Sequence, residues 1–255
     1  MYDAVGHSRF DPATRKSGLP AVELRLLGGF ELRCDGTPMT LPMSARRLLT
    51  FLALRPRPTR RLHVAGMLWL DSPEQRAVAN LRSAVWRLHL PGRQLVEAGN
   101  GYIALHPSVD VDLRRAQALG HHYLDGAIDH AGGWLDPDWK LLGTELLPDW
   151  DDEWVLVERE QHRQLGLEAL ESVSERLFAS GHVARALEVA LAIVAQEPLR
   201  ESAHRIVVRI FLADGNAFDA IRQYRLYATL ARRHLGLAPS DLMERLVRPL
   251  QHVAS

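Results

Sequence analysis

Residues 80–89, NLRSAVWRLH, hold side chains whose spacing points to chemistry. At a helical step of about 100° per residue, Arg76, Asn80, Ser83 and Arg87 share an arc of about 60°. Ala77, Leu81, Ala84, Val85 and Leu88 share a separate, wider arc of about 100°. An aligned row of guanidinium, amide and hydroxyl groups matches the donors and acceptors on base edges and phosphates. Any surface helix with one face on a core shows a similar division, so the row alone decides nothing. Trp86 lies away from the apolar arc, suited to stack on sugar or backbone or to cover a neighbouring domain. A second cluster, Asp149, Asp151, Asp152 and Glu153, offers paired carboxylates for acid–base work. The stronger reading there is structural: acids at the head of a long helix complement its dipole, and the adjoining tryptophans pack. The histidines, including those of HHYLDGAIDH, show neither the spacing of a zinc site nor a helical HExxH. There is no GxxxxGK[ST] loop. These patterns predict no enzyme, no metal and no cofactor.

Composition sets the frame that must hold those residues. The chain has 255 residues, 47% hydrophobic and 24% charged, ample for a globular core in one or two domains. Its single cysteine, Cys34, permits no internal disulfide and fits a reducing compartment. No apolar run in the first twenty residues resembles a signal peptide, and none later approaches a membrane span. A soluble, cytoplasmic protein without membrane contact is the expectation. The formal net charge of zero conceals an asymmetry. Residues 1–109 hold 15 Lys and Arg against 8 Asp and Glu, whereas residues 110–255 hold 16 against 23. Between 42 and 93 there are ten arginines against only Asp71 and Glu74. A basic half joined to an acidic half points to a polyanion-binding module fused to something else.

Along VELRLLGGFELRC, Val22, Leu24, Leu26, Phe30, Leu32 and Cys34 all fall on even positions, which predicts two strands turning through Gly28-Gly29. Asp35-Gly36 predicts a second turn and TPMTLP a third strand. Ser44 is the expected cap of a helix through ARRLLTFLALR, and RPRPT is a connector. Thr59 is the expected start of a short helix, RRLHVAGMLWL. Ser72 with Gln75 reads as a capping box for a helix over 73–89, with Pro73 in its first turn and Pro91-Gly92 beyond its end. QLVEAGNGYIALH then reads as a hairpin about a Gly-Asn-Gly turn. Strands, three helices and a hairpin, all strongly basic, make an α+β winged helix–turn–helix over residues 21–109. Its third helix would enter the major groove.

The second half, 110–255, begins within VDVDLRRAQALGHHYLDG, which has almost no strand pattern, and is helical from Asp151. Gly181 and Gly215 stand 34 residues apart, as do Ala186 and Ala220, Leu187 and Ile221, and Phe178 and Leu212. Thirty-four is the tetratricopeptide period, so an all-α, TPR-like domain of stacked helix pairs is expected.

LRLLGGFELRCDGTPMTLP, LWLDSPEQRAVANLRSAVWRL, LLPDWDDEWVLVERE, EPLRES and LGLAPS occur in an order that resembles the Streptomyces antibiotic regulatory protein (SARP) family. The resemblance covers about residues 22–250 and implies a winged-helix domain followed by a bacterial transcriptional activator domain. It implies an activator that binds promoter direct repeats near the −35 region, as a dimer on DNA. RNA polymerase would be recruited at antibiotic biosynthesis clusters, through the sigma factor and the carboxy-terminal domain of the polymerase alpha chain. Carried onto this chain, Asn80, Arg82, Ser83, Trp86 and Arg87 would read bases. Arg46, Arg47, Arg60, Arg61 and Arg76 would touch phosphates, and Gly99, Asn100, Gly101 and Tyr102 match the wing. Trp86 stands where the family commonly has a small or basic residue, and His89 where arginine is usual. Residues 1–20 have no counterpart and are expected to be disordered; the chain resembles the short members, without an ATPase module. A helical-repeat adaptor, or a repressor of the same architecture, is the alternative.

Overall fold

The computed structural model describes residues 22–126 and 135–251, and the extension over residues 1–20 lies outside them. The chain divides into two compact units. One holds the first strand up to Leu24 and Leu32–Asp110; the other holds Arg25–Glu31 and everything from Val111.

In the first unit, but for the strand-end residues Arg25, Glu31 and Val111, β1 (Val22–Arg25), β2 (Glu31–Cys34), β3 (Thr37–Met39) and β7 (Val109–Val111) form a sheet of order β3-β2-β1-β7. The period-two reading holds, for Val22, Leu24, Leu26, Leu32 and Cys34 are all buried. Asp35 and Gly36 both take positive φ in the two-residue turn that sets Leu32 opposite Met39. Helices α1 (Met43–Ala53), α2 (Arg61–Leu68) and α3 (Glu74–Arg87) follow. A second sheet, β4-β6-β5, is made from β4 (Thr59–Arg60), β5 (Val96–Gly99) and β6 (Tyr102–Leu105). Leu48, Leu52, Val64, Leu68, Leu81, Leu88 and Ile103 are fully buried between these layers. Each large aliphatic among them contributes about 1.5–3 kcal/mol.

The helix starts differ from expectation. Ser44 lies inside α1, whose N-cap is Pro42, its carbonyl accepting from Ala45 and Arg46 amides. Thr59 does not open α2; it pairs with Ile103 in β4, and α2 is capped by the backbone of Arg60. Ser72 makes no capping box, because α3 begins after Pro73. Proline already supplies the φ that a helix entry needs, so no hydroxyl is required to fix it. β7 is also a departure, arising where the sequence shows almost no strand pattern.

The second unit contains α4 (Asp112–Leu124), a 3-10 helix (Pro137–Gly143), α5 (Glu153–Ala179), α6 (Val183–Gln196), α7 (Glu201–Ala213), α8 (Ala217–Leu235) and α9 (Asp241–Gln251). The 34-residue period appears as two helix pairs, α5/α6 and α7/α8. Gly181 (φ 81°) and Gly215 (φ 75°) close the first helix of each pair. The next amides, His182 and Asn216, reach back to the Leu177 and Phe211 carbonyls at 2.8 Å. Ala186 and Ala220, fully buried, let the returning helices approach. The segment Arg25–Glu31 is bonded within this unit. Asp112, buried at 4% exposure, accepts from the Leu26 amide at 2.9 Å and the Leu27 amide at 3.1 Å. Burial pushes its carboxyl above the usual range, against the pull of those amides.

Candidate nucleic-acid interface

α3 positions most of the expected site. Ala77, Leu81 and Ala84 face the core, and Leu88 follows them into it. Gln75, Arg76, Ala79, Arg82, Ser83, Trp86 and Arg87 are exposed, and Asn80 is half-buried. Trp86 is the most open large apolar side chain of the chain's described residues, at 78%. The Ser83 hydroxyl donates to the Ala79 carbonyl at 3.1 Å, and Arg87 reaches Ser44 of α1 at 3.0 Å. The outward face is thus centred on Ala79, Arg82 and Trp86, with the row Arg76, Asn80, Ser83 and Arg87 along its flank.

The arginines expected on phosphates separate into two groups. Arg46 donates to the Leu41 carbonyl and Arg47 to that of Leu68, each at 2.8 Å. Leu68 ends α2, so Arg47 satisfies a carbonyl that the helix leaves without an internal partner. Both guanidinium groups are half-buried and turned toward the main chain. Arg60 and Arg76 remain exposed, while Arg61 is half-buried and its amide donates to the Gly101 carbonyl at 2.9 Å.

The hairpin β5–β6 turns through Asn100 (φ 51°) and Gly101 (φ 79°), a conformation that glycine and asparagine tolerate best. Gly99 pairs with Tyr102 across it. Tyr102 is 41% exposed, and its hydroxyl accepts from Arg60 Nε at 3.3 Å. That hydrogen bond holds the Arg60 guanidinium pKa above its ordinary value. Sequence reasoning passed over Arg55, Arg57 and His63. They line an open groove of about 430 Å³ together with Arg60 and Tyr102. Their signal was the repeated Arg-Pro of RPRPTR, read only as a connector.

The remaining candidates sit among helix ends and packed aromatic and helical surfaces. Asp149, Asp151, Asp152 and Glu153 stand at the head of α5, where the Asp152 carbonyl starts the helix. Beside them Trp150 stacks on Phe30 at 6.1 Å and meets Trp154 edge-on at 6.4 Å. Buried His162 and His204 bond the Thr144 and Pro198 carbonyls at 3.1 and 3.0 Å, and desolvation lowers both pKa values. Among the described residues no three metal-ligating side chains gather. EPLRES is a staple: Arg200 holds Glu171 of α5 through bonds of 2.6 and 3.0 Å. Glu201 accepts the amide and hydroxyl of Ser240, ahead of α9.

A sequence profile described as the bacterial transcriptional activator domain matches residues 111–251, more than half of the chain. The chain belongs to this family, that of the SARP-type transcriptional activators. A solved structure of Mycobacterium tuberculosis EmbR, in complex with a low-affinity phosphopeptide, is similar in fold. It aligns at a TM-score of 0.65 and 20% identity over 92% of this chain. The alignment spans 66% of the EmbR chain, which is correspondingly longer. No curated protein sequence matches. A SARP-type architecture, small sheets with a winged helix–turn–helix followed by a helical domain, is therefore the fold. The family is one of transcriptional regulators. No helix among its described residues is long and apolar enough to cross a membrane.

Proposed function

We propose that the protein is a sequence-specific DNA-binding activator whose α3 enters the major groove while the β5–β6 wing lies on the adjacent backbone. The observation that carries this reading is the outward face of α3. Arg82 and Trp86 project there without serving the core, inside a stretch of ten arginines against two acids. Arg82 would read a base edge through its planar fork, and Trp86 would lie on sugar or a thymine methyl. Ser83 and Arg87 are within the same reach, and rotation of either side chain on binding frees its donors. Arg60, Arg76 and the wing would hold phosphates and set the register.

The operator is read as a direct repeat near the −35 region of promoters. Two protomers would sit on one face of DNA when the repeats lie one helical turn apart, or a multiple. The stacked pairs α5/α6 and α7/α8 are the expected surface for RNA polymerase, through its sigma factor and the carboxy-terminal domain of its alpha chain. Regulation of an antibiotic biosynthesis cluster from the cytoplasm, on the nucleoid, completes the proposal. Binding to fragments tiled across neighbouring promoters, with a random duplex and two salt concentrations, tests it. A discrete footprint over direct repeats that survives competitor supports the regulator. Equal binding everywhere, or none, transfers the weight to a helical-repeat adaptor.

A further inference from the structure

The connector Arg55-Pro56-Arg57-Pro58-Thr59-Arg60 leads from α1 into β4. With His63 of α2 and Tyr102 of the wing it lines the groove of about 430 Å³. Pro56 and Pro58 fix φ and carry no amide hydrogen, so little backbone freedom is left to lose on binding. Two of the three arginines are held in place. Arg55 lies 5.0 Å from the Phe51 ring centre, and Arg60 is bonded to Tyr102 and paired with it across β4 and β6. Arg57 is exposed between them, and no acidic side chain among the described residues pairs with it.

We infer that this groove is a phosphate-binding site that takes the sugar–phosphate backbone of duplex DNA beside the wing. The inference rests on the DNA-binding reading and extends it to residues that neither α3 nor the wing tip supplies. Three guanidinium groups, an imidazole and a phenol converge on a groove with no carboxylate in its wall. Guanidinium forks match the paired oxygens of a phosphodiester, while the proline rings and Tyr102 offer flat apolar surface to deoxyribose. No large aliphatic side chain or tryptophan lines the groove, as insertion into a lipid surface would require. The contact carries no sequence information, so it strengthens every duplex alike.

Fluorescence anisotropy with the full chain tests this, using a promoter fragment and a random duplex across a salt series. Arg57→Ala is expected to weaken both duplexes by the same factor and to reduce the salt slope by about one. Arg57→Lys, which keeps the charge, is expected to retain the slope. Cys34 is buried, so Arg57→Cys is the only accessible thiol among the described residues. A cleavage reagent tethered there is expected to cut the backbone at one position beside the footprint. If wild-type protein binds and Arg57→Ala keeps its affinity and slope, the groove assignment is wrong and the α3 reading stands. Loss confined to the promoter fragment would make Arg57 a base reader and overturn the assignment too. If inorganic phosphate at matched ionic strength displaces DNA only when Arg57 is present, the groove serves a small phosphate instead. If wild-type protein binds no duplex, both readings fall together.

Discussion

Gly66 and Gly166 both sit inside helices, and intrinsic propensity predicts that alanine stabilises each by about 1 kcal/mol. Their surroundings predict opposite outcomes. A β-carbon on Gly66 meets no heavy atom within 4 Å, so the backbone effect is undiluted. Gly66→Ala is expected to stabilise by about 0.5–1 kcal/mol. At Gly166 an added β-carbon lies 2.0 Å from the Leu142 carbonyl oxygen, at the end of the 3-10 helix. Carbon and oxygen need more than 3 Å, so backbone must move by about 1 Å, which no side-chain rotation can relieve. Overpacking of this kind costs about 1–3 kcal/mol and occasionally more, against the 1 kcal/mol gained from propensity. The same shift strains the bond between His162, one turn before Gly166, and the Thr144 carbonyl. Gly166→Ala should therefore destabilise the helical unit by about 1–2 kcal/mol or more. Urea unfolding monitored separately for the two units reads both numbers. If Gly166→Ala matches or exceeds wild type in stability, α5 does not cross the 3-10 helix at van der Waals contact and the packing described is wrong.

Arg82→Ala and Trp86→Ala are expected to cost about 1–3 kcal/mol of affinity on the cognate site with stability unchanged, as footprinting titration and thermal melts would record. Arg87→Ala should lose less on DNA than Arg82→Ala, since Arg87 is engaged with Ser44; equal losses would place Arg87 on the bases. Glu171→Ala leaves Arg200 and the Ser202 hydroxyl without their shared acceptor and should destabilise the helical unit by about 2–3 kcal/mol, measured in urea. His162 and His204 have lowered folded-state pKa values, so the unfolded chain binds more protons below about pH 6.5. Stability is expected to fall as pH drops from 6.5 toward 5, by up to about 1.4 kcal/mol per unit for each histidine, and a flat profile would show that they protonate without cost.

Much of the fold was legible because its signals are periodic. Alternation from Val22 to Cys34 and the 34-residue spacing of Gly181 and Gly215 each repeat one packing constraint, which a single sequence can display. The short strands β4 and β7 could not be read that way. Two or three residues show no period, and their pairing with distant strands is what makes them strands. Capping failed for a related reason: Ser44, Thr59 and Ser72 are good caps locally, but prolines and strand pairing had already set the entry geometry. The arginines were the hardest to sort. Arg46, Arg47, Arg57 and Arg60 look alike in sequence. What separates them is whether a main-chain carbonyl, as at Leu41 or Leu68, lies within reach.

That distinction also separates identity from specificity. EPLRES and LGLAPS mark the family, yet Pro198, Arg200, Glu201, Ser202 and Ser240 all bond to the protein itself. Such residues are legible because a fold constrains them, and the same engagement withholds them from partners. The side chains of Gln75, Ala79, Arg82 and Trp86 make no such bond among the described residues, so the fold leaves their types free. Replacing these four residues with those of another SARP-type activator should therefore exchange the preferred operator while melting at the same temperature. A swap that unfolds the first unit would show that α3 serves the core on both faces. A stable swap with the original operator preference would place sequence reading on the flank, at Asn80, Ser83 and Arg87.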